Sequence, residues 1–152
     1  MPVNVLRKAR VAALQVLYEV DCTGHPLEQV LGRTLSGTPL PEEGSRLVKA
    51  LVEGVEKNRP ALDSTIQKHA PEHPVDQLSA VDRNILRIAI FEILLNNEAP
   101  PKVAINEAVQ LSKLFGSLNI HRFINGVLGS VLEDAGAKEG TPIPGGSSGD
   151  RL

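Results

Sequence analysis

The residues best suited to bind a ligand lie in a turn between two amphipathic segments, at positions 116–122. Asn119 is a favourable helix N-cap, so the backbone N–H groups that follow it would form a helix N-terminus, which attracts anions. His121 and Arg122 add positive charge there, and Phe123 could stack on a base or anchor the core. This combination predicts an exposed recognition surface and not a catalytic centre.

A second cationic group lies near the N-terminus, where Arg7, Lys8 and Arg10 precede Tyr18 on the first amphipathic segment. Guanidinium groups and an aromatic ring are what a single-stranded RNA site uses, the first for phosphate and the second for stacking. The alternative is a solvated N-terminal turn with Tyr18 completing the core. These residues by themselves leave both interpretations open.

Catalytic and metal-binding patterns are absent from the sequence. The phosphate-binding, dinucleotide-binding and nucleophile-elbow glycine motifs do not occur. Cys22 has no recognisable histidine or asparagine partner, and Pro71 spoils the helical spacing of His69 and His73. We therefore expect no enzyme activity, no metal site and no cofactor.

Three polar residues fall within apolar helical segments. Glu92 lies between isoleucines on the helical wheel, and burying an unpaired carboxylate is expensive. We expect it either to pair with a basic residue across the core or to cap the next helix. Asn106 and Asn125 are interpreted as buried hydrogen-bonding connectors.

The composition limits what the chain can bind. Lys and Arg number 16 against 18 Asp and Glu, for a net charge of -2, so affinity for nucleic acid must come from a local patch. Aromatic residues make up only 3%, which predicts an aliphatic core. The single cysteine, and the absence of a signal peptide or an apolar run of ~18 residues, predict a cytoplasmic protein that does not enter a membrane.

The apolar spacing is helical almost throughout and predicts an all-α fold of about seven helices. Pro60 either kinks the third helix or begins a fourth, and Ser79 to Asp82 has the spacing of a capping box. The prolines at 71 and 74 suggest a boundary between subdomains 1–72 and 73–134. Residues 135–152 are rich in Gly, Pro and Ser and predict a disordered tail.

Four stretches carry a specific signature: RKARVAALQVLYEVD at 7–21, VDRNILRIAIFEI at 81–93, PPKVAINEAVQLSKLFG at 100–116 and HRFINGVLG at 121–129. In this order, and over roughly Asn4 to Leu132, they resemble the NusB family of transcription antitermination factors. The resemblance implies an all-helical fold of two roughly perpendicular three-helix-type bundles.

The resemblance also implies a function. Family members bind the boxA element of nascent rRNA leaders together with the small-subunit ribosomal protein that acts as NusE. The pair joins other Nus factors on RNA polymerase. By position, the resemblance assigns RNA contacts to Arg7, Lys8, Arg10, Tyr18, His121, Arg122 and Phe123, and the helix N-terminus predicted after the turn adds Asn119 to this RNA surface. It assigns the ribosomal-protein docking side to Asp82 and Arg83.

The sequence departs from the family pattern in ways that leave alternatives open. The run LRKAR is less densely basic than in many members, which weakens RNA affinity. The turn carries Leu118, Asn119 and Ile120 where the family often has acidic residues, which lessens repulsion of phosphate. The alternatives are a protein-interaction module with weak or lost RNA affinity and a fragment of an RNA cytosine methyltransferase. The chain could be a monomer or a homodimer.

Overall fold

The computed structural model describes the backbone of residues 2–140 and the side chains of residues 5–136. This part of the chain contains seven α-helices and no strand, which confirms the all-α prediction. The helices are α1 (Pro2–Thr23), α2 (Leu27–Gly37), α3 (Glu42–Lys57), α4 (Arg59–His69), α5 (Ala80–Leu94), α6 (Pro101–Phe115) and α7 (Ile120–Gly140). A single 3-10 turn, Val75–Gln77, precedes α5.

Proline and serine set most of the helix starts. Pro26, Pro41 and Pro100 stand immediately before α2, α3 and α6, where a missing N–H is harmless. Pro60 lies in the first turn of α4, so it begins a new helix and does not kink α3. Ser79 caps α5 by accepting a 3.1 Å hydrogen bond from the backbone N–H of Asp82, as the sequence predicted.

Helix α5 is the centre of the molecule. It packs against α1, α3, α4, α6 and α7, and nearly all of its residues are buried. Helices α2 and α3 complete one group around α1, and α6 and α7 complete the other. Aliphatic side chains from both groups form one continuous core. Helix α4, which precedes residues 71–74, packs on α5 and α7 as well as on α3, so residues on both sides of the predicted boundary contribute to this core. The division into two subdomains stays a prediction.

The last helix is longer than predicted. It runs as Ile120–Gly140, whereas its predicted end was near Asp134, so residues 135–140 of the predicted tail are helical. The remainder of that tail, 141–152, lies outside the described residues.

A buried ion pair joins α1 to α5. The Arg10 guanidinium donates two hydrogen bonds to the Glu92 carboxylate, Nε to Oε2 at 2.9 Å and Nη2 to Oε1 at 2.8 Å. Their side chains are only 5% and 4% exposed. The partner expected for Glu92 is thus a basic residue across the core. The assignment of Arg10 to RNA does not fit this position, because both the burial and the pairing remove it from the surface.

A polar network joins the other end of α1 to α5. Asp21 accepts hydrogen bonds from Arg83 at 2.8 and 2.9 Å, from Asn84 at 2.9 Å and from Arg87 at 3.1 Å. Arg87 also donates to Asp63 of α4 at 2.7 and 2.9 Å. Burial acts to raise the pKa of Asp21, but these hydrogen bonds and the arginine charges outweigh it and lower the pKa to about 2.

Two asparagines predicted to be buried lie on the solvent-facing sides of their helices. Asn106 and Asn125 are exposed, so the interpretation of both as buried connectors was wrong. The core sides of α6 and α7 carry small and aliphatic residues, among them Ala104, Ala108 and Leu128.

Replacing Glu92 with Leu should unfold the protein more easily, because it leaves the buried Arg10 without a counter-charge. We expect a loss on the order of 3–5 kcal/mol in urea denaturation. The double variant Arg10→Met/Glu92→Leu should regain most of that loss. Arg46→Ala, which breaks an exposed pair with Glu42, should change stability little. A stable Glu92→Leu single variant would contradict this interpretation.

The Asp21 network should make stability acid-sensitive. A carboxyl group whose pKa falls from 3.8 to about 2 on folding stabilises the protein above pH 3.8. That contribution, on the order of 1–2 kcal/mol allowing for partial solvent screening, is lost as the pH falls towards 2. Unfolding free energies measured for the native protein and for Asp21→Asn should therefore differ at pH 7 and converge near pH 2. Parallel curves would show that Asp21 is not the responsible group.

Candidate functional site

A cationic position lies on the seam between α1 and α6. Arg7 donates hydrogen bonds to Glu107 from Nε at 3.0 Å and from Nη2 at 2.8 Å. The hydrogen bond from Arg7, followed by its charge, lowers the pKa of Glu107 despite partial burial. The Arg7 side chain is still 45% exposed, and Lys8 beside it is also exposed. Both residues are placed where a polyanion could reach them.

Further along the same seam the surface is apolar. A groove of about 340 Å³ lies between α1, the start of α5 and the end of α6. Its walls include Val11, Leu14, Tyr18, Val81 and Phe115. Tyr18 is 45% exposed, so its ring is accessible. Gln15 and Glu19 also line the groove, but most of its surface is aliphatic or aromatic. This environment suits an apolar partner better than a charged one.

The turn between α6 and α7 is fixed by Asp82. Its carboxylate accepts a hydrogen bond from the backbone N–H of Ser117 at 3.2 Å and another from the Ser117 hydroxyl at 2.6 Å. A Cβ at Gly116 would come within 2.8 Å of Asp82 Oδ1 and of the Ser112 carbonyl oxygen, so only glycine fits there. The turn presents Leu118 to solvent, with 91% of its surface exposed.

The predicted RNA residues of this turn differ in their exposure. Arg122 is exposed and His121 is half-buried. Phe123 is half-buried against the core, and its ring lies 4.8 Å from that of His73, centroid to centroid. Asn119 has a φ of 61°, a left-handed conformation and not the extended one usual for an N-cap. Arg122 is the cation of this group that is most available to a ligand.

The residues expected to contact the ribosomal protein are engaged within the chain. Asp82 is buried and holds Ser117, while Arg83 donates to Asp21 and to the carbonyl oxygen of Leu78 at 3.0 Å. The prediction placed them correctly at the start of α5. Their contacts, however, are those of residues that position the groove walls, since Asp82 fixes the turn and Arg83 fixes the end of α1.

Two features of this surface escaped the sequence analysis. Glu107 lies in the motif KVAINEAV, but its partner Arg7 is 100 positions away, and no local pattern links them. The groove could have been suspected from Leu114, Phe115 and Leu118, a cluster of large apolar residues at the end of a helix. All three prove to be exposed.

Other polar groups in the described residues do not form a recognisable reactive centre. His69 Nδ1 lies 2.7 Å from Ser130 Oγ, and its Nε2 lies 3.7 Å from Asp134. No group of three or more potential metal ligands occurs in the described part of the chain. Within the same residues, no helix has the length and hydrophobicity needed to cross a membrane.

Comparison with known proteins identifies relatives along most of the chain. The model of the NusB family matches residues 7–133. The transcription antitermination protein NusB of Dehalococcoides mccartyi (strain ATCC BAA-2266 / KCTC 15142 / 195) is 52% identical over 125 residues, covering 82% of this chain and 87% of the relative. That of Roseiflexus castenholzii is 49% identical over 131 residues, covering 85% and 92%.

Solved structures show the same fold. NusB of T. maritima superimposes with a TM-score of 0.79 at 29% identity, covering 88% of this chain and 94% of that one. A chain in the crystal structure of the antitermination factors NusB and NusE in complex with dsRNA gives a TM-score of 0.79 at 25% identity, covering 86% and 98%. On the sequence motifs, the fold and these matches together, this chain belongs to the NusB family.

Proposed function

We propose that this protein is a cytoplasmic transcription antitermination factor. It binds the boxA element of nascent rRNA leaders together with the ribosomal protein NusE and joins other Nus factors on RNA polymerase. The observation that carries the proposal is the match to a chain from a complex of NusB, NusE and dsRNA, over 86% of this chain. The matches extend over 87% and 92% of the length of the two relatives named as antitermination proteins. This coverage favours an antitermination factor over a methyltransferase fragment.

The RNA contacts that we propose are the exposed cations on either side of α6. Arg7 contacts Glu107 of α6, Lys8 is the next residue of α1 and is exposed, and Arg122 follows the turn after the end of α6. From position 107 to position 116 the helix advances ~14 Å at 1.5 Å per residue, so one RNA segment could touch both regions. His121 adds a polar edge, and Arg10 is left out because it is buried.

The NusE contact that we propose is the apolar groove. Protein interfaces centre on aromatic and aliphatic side chains that lose water on binding, whereas an RNA backbone needs cations. Tyr18 and Phe115 supply such side chains in the groove. Leu118 adds another in the following turn, which Asp82 holds in place. We therefore assign Tyr18 to the protein partner in place of RNA stacking.

A protein-interaction module with little RNA affinity is the second candidate. The burial of Arg10 and the pairing of Arg7 favour it, because they reduce the charge that the surface offers to phosphate. The two candidates differ in the salt dependence of RNA binding, since each phosphate contact releases counterions and steepens the decline of affinity with salt.

Labelled boxA RNA should bind this protein more tightly than a scrambled RNA of the same length, and NusE should increase the difference. Affinity should fall steeply between 50 and 200 mM salt. Lys8→Ala and Arg122→Ala should each weaken binding, by roughly 3- to 10-fold, with an unchanged melting temperature. Fluorescence anisotropy with and without NusE measures the RNA affinities and their salt dependence, and thermal denaturation measures the melting temperatures.

Lys49→Ala is the matched control for charge, because Lys49 is an exposed lysine on α3. It should bind RNA nearly as well as the native protein. Equal affinity for boxA and scrambled RNA in the presence of NusE contradicts sequence-specific recognition. Flat salt dependence supports the interaction module instead.

Leu118→Ser should weaken NusE binding by roughly tenfold, about 1.4 kcal/mol, because it removes an exposed apolar side chain from the turn that follows the groove residue Phe115. The fold should be unaffected, since Leu118 is 91% exposed. Leu95→Ser is the matched control, an exposed leucine just beyond α5. Calorimetric titration with NusE measures both variants. Unchanged NusE affinity of Leu118→Ser, or loss of RNA binding alone, would remove the turn that follows α6 from the NusE interface.

A further inference from the structure

Glu107 is a carboxylate within the proposed RNA surface, where it should repel phosphate. We propose that Glu107 is a specificity-determining residue, which withholds the charge of Arg7 from RNA in general and holds its guanidinium in one orientation for the correct RNA. The inference rests on the proposed function, since it concerns the same surface. It explains why a binding surface would keep an acidic residue beside one of its few exposed cations.

The geometry of the pair supports an orienting role. Glu107 contacts Arg7 on one edge of the guanidinium only, through Nε and Nη2. A guanidinium carries five N–H donors in a rigid plane. Nη1 and the second hydrogen of Nη2 have no partner in the described part of the chain. Those donors belong to a side chain that is 45% exposed, so a phosphate can bind them while Glu107 stays in place.

The surroundings of Glu107 show why it holds Arg7 and not another cation. Glu107 is only 12% exposed, and its carboxylate is therefore fixed beside α1. The nearby Arg10 also attracts it, but Arg10 donates to Glu92 in the core. Arg7 is thus the arginine that Glu107 engages directly, and the two together present almost no net charge.

The pairing of Arg7 with Glu107 should affect the binding of boxA RNA and the binding of other RNA differently. Nonspecific affinity depends on how many counterions the protein's cations displace, and a paired Arg7 displaces few. A phosphate at the correct place and angle gains the oriented donors of Arg7, which a free flexible side chain would first have to order. Glu107 should therefore lower affinity for all RNA and lower it least for the specific one.

Glu107→Gln tests the inference, because glutamine keeps the shape and removes the charge. We expect it to bind scrambled RNA several-fold more tightly than the native protein, with a smaller ratio of boxA to scrambled affinity. The salt slope should steepen by roughly 0.7, the value of one additional phosphate contact on a single strand. Glu56→Gln is the matched control, since Glu56 is also a partly buried glutamate paired with an arginine, Arg59.

Glu107→Gln could strengthen RNA binding by freeing Arg7 from its ion pair or by removing the repulsion between Glu107 and phosphate. The same substitution made in an Arg7→Ala variant separates these two effects. There, Glu107→Gln should leave the salt slope unchanged. Equal behaviour of Glu107→Gln and Glu56→Gln, or an undiminished ratio of boxA to scrambled affinity, would overturn the inference. So would an equal change of slope with and without Arg7. If the native protein itself binds no RNA with NusE present, the proposed function fails as well, so the two failures are distinguishable.

Discussion

The attachment of α1 to α5 by one buried ion pair and one partly buried polar network is the constraint on which the rest of the structure depends. Arg10 pairs with Glu92 near the end of α5, and Asp21 accepts from Arg83 near its start, so the two helices run antiparallel in a fixed register. A slip of α1 by one turn would still place apolar residues against α5, so the apolar pattern by itself specifies the register weakly. A buried ion pair does not tolerate this slip, because each partner would then lose its counter-charge inside the core.

That register places the functional surface. Helix α6 also packs on α5, and its orientation brings Glu107 to Arg7 and Phe115 to the groove wall that contains Tyr18. Asp82 then secures the following turn from the first turn of α5. The cationic end of the seam and its apolar part are therefore held by one framework, although one is charged and the other apolar.

Acidic residues neutralise part of the positive charge near this surface. The chain carries a net charge of -2, Arg10 is buried with Glu92 and Arg7 is paired with Glu107. A surface with few unpaired cations binds polyanions weakly unless their shape and spacing are correct. The apolar groove differs in kind, because its lining is mostly aliphatic and aromatic, and under the proposed function it would bind a protein partner.

The sequence by itself determined the helices, the family and the need of Glu92 for a partner. Periodicity, proline positions and capping are local properties, and a carboxylate among isoleucines must be paired wherever the chain folds. Only the tertiary structure decided that the partner is Arg10, that Arg7 is held by Glu107, and that Asn106 and Asn125 are exposed. These outcomes depend on which helix covers which face, and residues 82 or 100 positions apart leave no local pattern that would reveal it.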